Sequence, residues 1–405
     1  MNEMIALMAL FAAQTAVPAT SPAAGYQIVH NAPLETTLTT PDLPQAGAVW
    51  CAMLNTARKS ADFEQFYVAN KPGSQLDKVI GCMEAAAKRG VKIRFLMEAQ
   101  GVKISDAPTM ERLRAIPGLE LRILTFAQLG GSGIIHAKFF VIDGKSAYVG
   151  SQNFDWRSLE HIDETGVKIE DPHAVGQLAA IFAHDWAAQA TLAAGSHVAP
   201  TNTAEVMADD SGPATLVASP NAFNPAGVGD SQAELVKLLA QAEHDVRITV
   251  MEYAPLDQQH RYYGVIDNAI REAAARGVTV KLLVADWDLT PLKTPWLRSL
   301  AAVPNVEIRV ATIPEASSGP IPYARVVHTK TMTIDGKVAW IGTSNWEGGY
   351  LDNSRNVELV FRNAAMAASV GQMQESLWNS AYAVSLETAI ARRESAKRPN
   401  SSGNE

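Results

Sequence analysis

The sequence repeats itself at an offset of about 190 residues, and this duplication constrains the fold more than any other feature. The segment EAAAKRGVKIRFLME of the first half matches EAAARGVTVKLLVAD of the second half. Each segment ends an amphipathic helix at a glycine, Gly90 or Gly277, and continues into a strand rich in Val, Ile and Leu. Further helix–strand units, a hairpin and a last helix surround each segment. The chain is therefore predicted to contain two homologous halves.

Strands that alternate with helices predict an α/β fold with a mixed sheet in each half. We expect the first half to span residues 25–200 and the second half residues 201–390, because the segment around residue 200 is rich in Ala, Gly, Ser, Thr and Pro. Residues 391–405 are predicted to form a polar, disordered tail. A sizeable core is available, since 47% of the 405 residues are hydrophobic and only 19% are charged.

The net charge of −8 excludes a strongly basic nucleic-acid coat or membrane-surface binder, so any anion site must be built from a few local cations. Residues 1–24 are predicted to be a signal peptide, because an apolar run is followed by small residues, although no Lys or Arg precedes it. The run is too short for a comfortable membrane span. We therefore expect a secreted or periplasmic protein. Cys51 and Cys82 fit either two buried thiols or, in an oxidising compartment, one disulfide.

One pattern of polar residues occurs in the predicted hairpin of each half. The matching residues are His136, Lys138, Asp143, Gly150, Ser151 and Asn153 in the first half, and His328, Lys330, Asp335, Gly342, Thr343 and Asn345 in the second. A His and a Lys two positions apart project from the same face of a strand, so an anion is expected between them. Asp143 and Asp335 each precede a glycine in a favoured turn dipeptide, so either carboxylate could serve the hairpin alone.

These residue types are suited to phosphodiester chemistry. An imidazole can attack phosphorus and can also deliver a proton, because its unperturbed pKa lies near neutrality. One His performs only one of these roles in a given step, so two copies that face each other supply both. Lys138 and Lys330 would hold the non-bridging phosphate oxygens, and amide and hydroxyl donors would stabilise the charge of the transition state. The predicted phosphate-binding donors are Ser151, Asn153, Thr343 and Asn345.

The duplicated HxKxxxxDxxxxxxG[ST]xN motif resembles that of the phospholipase D superfamily. The stretches GSQNFDWRSL and GTSNWEGGY are similar to the branch that contains the animal lysosomal phospholipase-D-like exonucleases. The resemblance implies two tandem α/β/α sandwich halves with mixed sheets, related by a pseudo-two-fold axis. It implies one composite catalytic site of His136, Lys138, Asp143, His328, Lys330 and Asp335. It also implies catalysis without a metal or other cofactor, and the sequence contains no HExxH motif and no Walker-type glycine loop.

The resemblance further implies a Glu downstream of each motif that accepts a hydrogen bond from the imidazole. Glu164 lies eleven residues after the last Asn of its motif, whereas Glu358 lies thirteen residues after the corresponding Asn, so we expect two added residues in the second half. With Glu164 at the usual spacing, we expect His136 to be the better oriented imidazole. His136 is therefore predicted to attack phosphorus, and His328 to protonate the leaving oxygen.

The leading hypothesis is an exported phosphodiesterase that hydrolyses phospholipids through a phosphohistidine, or passes the phosphatidyl group to an alcohol. A 5′ exonuclease on single-stranded nucleic acid is an alternative, mildly disfavoured by the acidic net charge. A cardiolipin-synthase-like phosphatidyltransferase is a second alternative. A non-catalytic phosphate-binding protein would tolerate loss of a His or Lys, and neither half has lost one. The expected binding partner is a phospholipid substrate at a membrane surface. We expect the chain to be a monomer without an obligate protein partner.

Overall fold

A computed structural model describes residues 21–397 and contains two halves built on the same plan. The strands of the first half are β1 (Tyr26–Asn31), β2 (Ser60–Gln65), β3 (Val68–Ala69), β4 (Lys92–Glu98), β5 (Leu119–Leu124), β6 (Phe139–Ile142), β7 (Ser146–Gly150), β8 (Phe154–Asp155) and β9 (Glu164–Ile169). Its helices are α1 (Ala46–Thr56), α2 (Gln75–Lys88), α3 (Ala99–Val102), α4 (Ala107–Arg114), α5 (Ala127–Gly130), α6 (Trp156–Glu160) and α7 (Pro172–Ala193).

The second half repeats this order after a connection that spans residues 194–214. Its strands are β10 (Thr215–Ser219), β11 (Gly229–Asp230), β12 (Asp245–Thr249), β13 (Tyr253–Ala254), β14 (Thr279–Ala285), β15 (Val306–Ala311), β16 (Thr331–Ile334), β17 (Val338–Gly342), β18 (Trp346–Glu347), β19 (Asn356–Phe361) and β20 (Ala383–Ser385). Its α-helices are α8 (Ser231–Gln241), α9 (Val265–Ala275), α10 (Thr294–Ala301), α11 (Ala364–Trp378) and α12 (Leu386–Lys397).

Each half has a mixed sheet, as predicted. The first sheet has the order β1-β9-β7-β6-β2-β4-β5, and the second has the order β11-β10-β19-β17-β16-β12-β14-β15-β20. Strands β2, β4 and β5 are parallel to one another, as are β12, β14 and β15, whereas β6 and β16 join them antiparallel. Two small parallel pairs, β3–β8 and β13–β18, lie outside the large sheets and follow the ends of β2 and β12.

Apolar side chains cover both faces of each sheet, which produces the sandwich layers. On the outer face of the first sheet, Trp50 and Met83 of α1 and α2 pack in one cluster with Phe140 of β6. On the inner face, residues of both sheets share a single core, in which Val149 of the first sheet is clustered with Ile341 of the second. Helices α7 and α11 contribute to this shared core. The two sheets therefore meet across an apolar layer, and the strands that carry the two motifs lie next to it.

Two glycine positions show why the duplicated segments fold alike. Helices α2 and α9 are each followed by a glycine with positive φ, 91° at Gly90 and 97° at Gly277, as the sequence predicted. The hairpins between β6 and β7 and between β16 and β17 turn through Asp–Gly pairs in which both residues have positive φ. This conformation belongs to the two-residue turn that matches the twist of adjacent strands.

One expectation at the edges of the fold is changed by the structure, and one open alternative is decided. The predicted disordered tail was placed too early, because helix α12 continues to Lys397, and the buried Leu386, Ala389 and Ile390 anchor its first turns. Residues 1–20, which include most of the predicted signal peptide, and residues 398–405 lie outside the described part of the chain.

Of the two cysteine alternatives, the structure contains the disulfide: Cys51 of α1 and Cys82 of α2 are bonded, with their Cα atoms 5.5 Å apart. No helix within residues 21–397 has the length and apolarity needed to cross a membrane.

Candidate active site

The two motif histidines lie just before β6 and β16, and each is held by the main chain of the other half. The carbonyl of Arg355 accepts hydrogen bonds from the amides of His136 (2.9 Å) and Ala137 (2.8 Å). In the same way, the carbonyl of Asp163 accepts a hydrogen bond from the amide of His328 (2.9 Å). This symmetric exchange of main-chain bonds brings the two motifs together into one composite site between the halves.

The imidazoles are oriented by partners from the opposite halves, which corrects the sequence-based assignment. Nδ1 of His328 lies 2.9 Å from Oε2 of Glu164, so the carboxylate of the first half serves the imidazole of the second. Nδ1 of His136 lies 3.0 Å from Oδ1 of Asn356, an amide rather than a carboxylate. The expectation that Glu164 orients His136 was therefore wrong, because the downstream strand of each half faces the other half.

Glu358 does not contact either imidazole. Its buried carboxylate accepts hydrogen bonds from the hydroxyls of Ser231 and Ser344, and burial raises its pKa to about 7. Asn356 lies eleven residues after Asn345, the same spacing as that of Glu164 in the first half, so nothing is inserted before this position. The equal spacing was the signal that could have identified Asn356. It was missed because a carboxylate was expected there.

The side chain of Asn356 has a defined orientation. Its Nδ2 donates to the carbonyl of Tyr350 (2.9 Å), and its Oδ1 accepts from the hydroxyl of Thr343 (3.0 Å). The oxygen therefore faces His136, so Nδ1 of His136 carries a hydrogen and Nε2 of the neutral ring has a free lone pair. Asn356 thus selects the tautomer of His136 in which Nε2 is unprotonated.

The two imidazoles differ in their electrostatic surroundings. Burial holds the pKa of His136 well below its ordinary value, and the charges of Lys138, Lys330 and His328 add to this effect. Burial also lowers the pKa of His328, but here the adjacent Glu164 carboxylate opposes the change. Burial would raise the pKa of Glu164, yet its contact with His328 and the charge of Lys330 hold it below its ordinary value. A single proton shared by the pair is therefore favoured on His328.

The motif lysines are almost completely buried beside the imidazoles. Nζ of Lys330 donates to the carbonyl of His328 at 2.6 Å, and Nζ of Lys138 donates to the carbonyl of His136. Burial lowers the pKa of Lys330 to about 7, with Glu164 and Glu252 opposing. Burial together with repulsion from Lys330 holds the pKa of Lys138 well below its ordinary value. A bound phosphate anion would favour the charged form of both amines. An anion between each His and its Lys stays a prediction.

The motif hydroxyls hold protein groups, which corrects their assignment as phosphate donors. The hydroxyl of Ser151 donates to the carbonyl of Thr165 (3.2 Å) and accepts from the amide of the same residue (3.0 Å). The hydroxyl of Thr343 donates to Asn356 and accepts from the amide of Val357 (3.1 Å). Both hydroxyls therefore position the strands that carry the imidazole partners.

The motif amides lie on the two sides of the site. Nδ2 of Asn345 donates to Glu252 (3.1 Å), and within residues 21–397 its Oδ1 has no hydrogen-bond partner. Asn153 is 7% exposed, and its Oδ1 is also without a partner among the described residues. Donation from either amide to phosphate stays a prediction.

The motif aspartates lie away from the imidazoles, at the far ends of β6 and β16. The carboxylate of Asp143 accepts hydrogen bonds from the amides of Arg58 (2.8 Å), Lys59 (2.7 Å) and Ser60 (2.8 Å). Burial alone would raise the pKa of Asp143, but these amides hold it below its ordinary value. Asp335 accepts from three consecutive amides in the same way, those of Glu243, His244 and Asp245. Of the two roles that the sequence left open, the structure supports the structural one, and both aspartates leave the catalytic set.

The second half adds a group of acidic residues that lie outside the duplicated motif. Lys293 contacts Glu347 and lies 3.5 Å from a carboxylate oxygen of Glu252 and 3.4 Å from one of Asp288. The ring of Tyr350 packs edge-on against His136 with centroids 4.7 Å apart. A cavity of about 400 Å³ lies against Tyr350, Lys293 and Glu347. The side of the site that belongs to the second half is therefore rich in carboxylates.

Comparison with known proteins agrees with this geometry. A family profile described as "Cardiolipin synthase, PLD-like domain" matches residues 50–186 and residues 235–378, once in each half. The chain belongs to the phospholipase D superfamily. The superfamily relative named Phospholipase D Z, from Dictyostelium discoideum, is 30% identical over 366 residues, which cover 84% of this chain and 86% of that protein. The human protein named 5'-3' exonuclease PLD4 is 31% identical over 389 residues, which cover 86% of this chain and 76% of that protein.

A solved structure has the same architecture as this chain. The crystal structure of phosphatidylserine synthase from Haemophilus influenzae superposes with a TM-score of 0.57 at 11% identity, covering 86% of this chain and 90% of that chain. At this identity the likeness concerns the fold alone. The predicted resemblance and the duplicated α/β architecture are both confirmed.

Proposed function

We propose that this phospholipase D superfamily member is a phosphodiesterase that hydrolyses phospholipids through a covalent phosphohistidine. The observation that carries the proposal is the pair of facing imidazoles with unlike Nδ1 partners, Asn356 for His136 and Glu164 for His328. A neutral ring with a free lone pair suits attack, and a ring beside a carboxylate suits storage of a proton.

In the first step, Nε2 of His136 attacks phosphorus and the bond to the leaving oxygen breaks. His328 gives its proton to that oxygen, so the leaving group departs as an alcohol. The buried Lys138 and Lys330 compensate the negative charge of the non-bridging oxygens. The sequence also predicted His136 as the attacking ring, but the argument for this assignment is now different. It rests on the tautomer set by Asn356 and on the proton held beside Glu164.

In the second step, neutral His328 takes a proton from water, and the resulting hydroxide attacks the phosphohistidine. The bond between phosphorus and His136 breaks, and the ring recovers its lone pair. An alcohol in place of water would give transfer rather than hydrolysis. The same two side chains thus act in both steps with reversed roles for His328.

The acidic side of the site supports a lipid over a long polyanion. Three carboxylates, those of Glu252, Asp288 and Glu347, surround the single cation Lys293, so this side of the site offers a polyanion more carboxylates than cations. The net charge of −8 adds to this argument. The relative named Phospholipase D Z is consistent with a phospholipid.

A 5′ exonuclease activity is the second candidate, and a surface formed by residues of both halves favours it. Nζ of Lys71 lies 4.5 Å from the ring centre of Trp156, and the guanidinium of Arg157 lies 5.9 Å from that of Tyr323, which is 74% exposed. Lys71 is exposed, whereas the side chain of Arg157 is only 15% exposed and pairs with Asp155. Lys71 beside Trp156 and the exposed ring of Tyr323 are therefore the groups that suit the stacking of bases along a single strand. The human relative named as an exonuclease agrees with this alternative.

The substrate class is decided by a turnover assay run side by side on phosphatidylcholine, cardiolipin, phosphatidylglycerol and single-stranded DNA. We expect the highest kcat/KM on a phospholipid. Turnover of DNA alone would reverse the order of the two candidates, and lack of turnover on every phosphodiester would refute the proposal. Transfer to an added alcohol in the lipid assay would identify the phosphatidyltransferase variant.

The roles of the two histidines are tested by acid-quench mass spectrometry with bis(4-nitrophenyl) phosphate. The His328→Ala variant should accumulate a phosphoryl adduct on His136, because nitrophenolate leaves with little help from a proton. An adduct on His328 in the His136→Ala variant, with none in the reverse variant, would invert the assignment.

We also propose that the protein is exported. The disulfide between Cys51 and Cys82 supports an oxidising compartment. Fractionation of the source cells, with the intact disulfide checked by mass spectrometry before reduction, tests this. A cytosolic pool with two free thiols would contradict it.

A further inference from the structure

Residues 355 and 356 both form hydrogen bonds with His136. The carbonyl of Arg355 accepts from the amides of His136 and Ala137, and its amide donates to the carbonyl of Ile134 (2.8 Å). The next side chain, Asn356, accepts from the imidazole. The attacking ring is thus held through its main chain by one residue and through Nδ1 by the following one.

The guanidinium of Arg355 is completely buried behind this contact, and all five of its N–H groups are used. It forms a two-pronged ion pair with Asp185 of α7 at 2.7 and 3.0 Å. It also donates to the carbonyls of Ser219 (2.9 Å) and Phe223 (2.8 Å), and to Oδ1 of Asn224 (2.8 Å). Since Asp185 belongs to the first half and the other acceptors to the second, the side chain joins the two halves.

The first half has the same arrangement with different chemistry. Asp163, the residue before Glu164, accepts from the amide of His328, and its buried carboxylate lies 3.0 Å from Nε2 of His30. In both halves a buried charged residue therefore anchors the segment that holds the opposite imidazole. The recurrence argues that the anchor serves the imidazole and not only the local packing.

We propose that Arg355 is a positioning residue for His136, whose buried guanidinium fixes the segment that aims the attacking nitrogen at phosphorus. The inference rests on the proposed function, because it assigns Arg355 to the attack step. In-line attack needs the reacting atoms within about 3.5 Å, and a displacement of about 1 Å costs about 100-fold in rate. Arg355 is too deep to touch substrate, so its effect is expected in kcat and not in KM.

The test is Arg355→Lys, with Arg362→Lys as the matched control. Arg362 follows the other end of the same strand, β19, and pairs with Glu234 (2.6 Å) and Asp210 (3.2 Å). A lysine at 355 keeps the charge opposite Asp185 but cannot reach the remaining acceptors together. With bis(4-nitrophenyl) phosphate, we expect kcat and single-turnover adduct formation to fall by about 100-fold for Arg355→Lys, with KM nearly unchanged. The control should keep the wild-type rate.

Rates are expressed per folded molecule, measured by circular dichroism and thermal melting. A lower melting temperature with an unchanged rate of adduct formation per folded molecule would show a merely structural role and overturn the inference. An equal loss in the Arg362→Lys control would do the same. If Arg355→Lys does not fold, Asn224→Ala decides, because it removes one acceptor of the guanidinium and should slow adduct formation about tenfold. Wild-type protein without activity would instead refute the proposed function.

Discussion

Replacing Glu164 by Gln tests the division of labour between the two imidazoles. The substitution keeps the shape of the side chain and a hydrogen-bond acceptor, but removes the charge that lies 2.9 Å from Nδ1 of His328. Burial and Lys330 then act on His328 without the opposing carboxylate, so the pKa of His328 falls further. Because His328 must be protonated in the first step, the decline of kcat/KM toward high pH should begin at a lower pH in the variant.

The size of the effect follows from the geometry. Two unit charges about 4 Å apart attract by about 4 kcal/mol at an effective dielectric constant of about 20. Since about 1.4 kcal/mol corresponds to a factor of ten in rate, loss of this attraction would cost up to about 10³-fold in the population of protonated His328. That figure lies within the range of about 10² to 10⁴ that a general acid contributes.

The assay compares a substrate with a poor leaving group, phosphatidylcholine, with bis(4-nitrophenyl) phosphate. We expect Glu164→Gln to lose about 10³-fold on the lipid and only about tenfold on the nitrophenyl ester, because nitrophenolate needs little protonation. Glu358→Gln is the control, since that buried carboxylate bonds two serines and touches neither imidazole. Equal losses on both substrates, or a pH profile that does not move, would refute the role of Glu164.

Four further outcomes are expected. Asp143→Asn should lower the free energy of unfolding by about 1–3 kcal/mol and leave kcat per folded molecule unchanged, because the carboxylate holds three amides and no substrate; denaturant titration and kinetics measure both, and a loss of kcat at full stability would contradict it. KM should rise as the pH is raised through about 7, where Lys330 loses its charge; a KM that stays constant across that pH would speak against this role. Turnover should survive a chelator at neutral pH, whereas abolition with rescue by one divalent ion would show that a metal is required. Residues 25–200 and residues 201–390, expressed separately, should be inactive, since each imidazole takes its partner from the other half; turnover by a monomeric single half would disprove the composite site.

The parts of the site that lie within one hairpin could be predicted from the sequence. The His–Lys pairs and the Asp–Gly turns depend on contacts a few residues apart, and the structure places them as their spacing indicates. The role of Glu358 was predicted wrongly because a carboxylate was sought by residue type, whereas the duplicated position is Asn356. Arg355 and Asp163 had no signature that spacing could reveal, since their duplicated positions hold opposite charges.

The sequence by itself determined the duplication, the mixed α/β sheets and the identity of the two histidines and two lysines that the structure brings together. These properties follow from local hydrophobic patterning and from two copies of one motif. Only the tertiary structure decided that Glu164 serves His328, that Asn356 serves His136, and that the arginine before Asn356 joins the halves. The physical reason is that these contacts cross the interface between the halves. The partners in these contacts depend on how the two sheets pack on a shared core. The spacing of residues along one strand does not specify that packing.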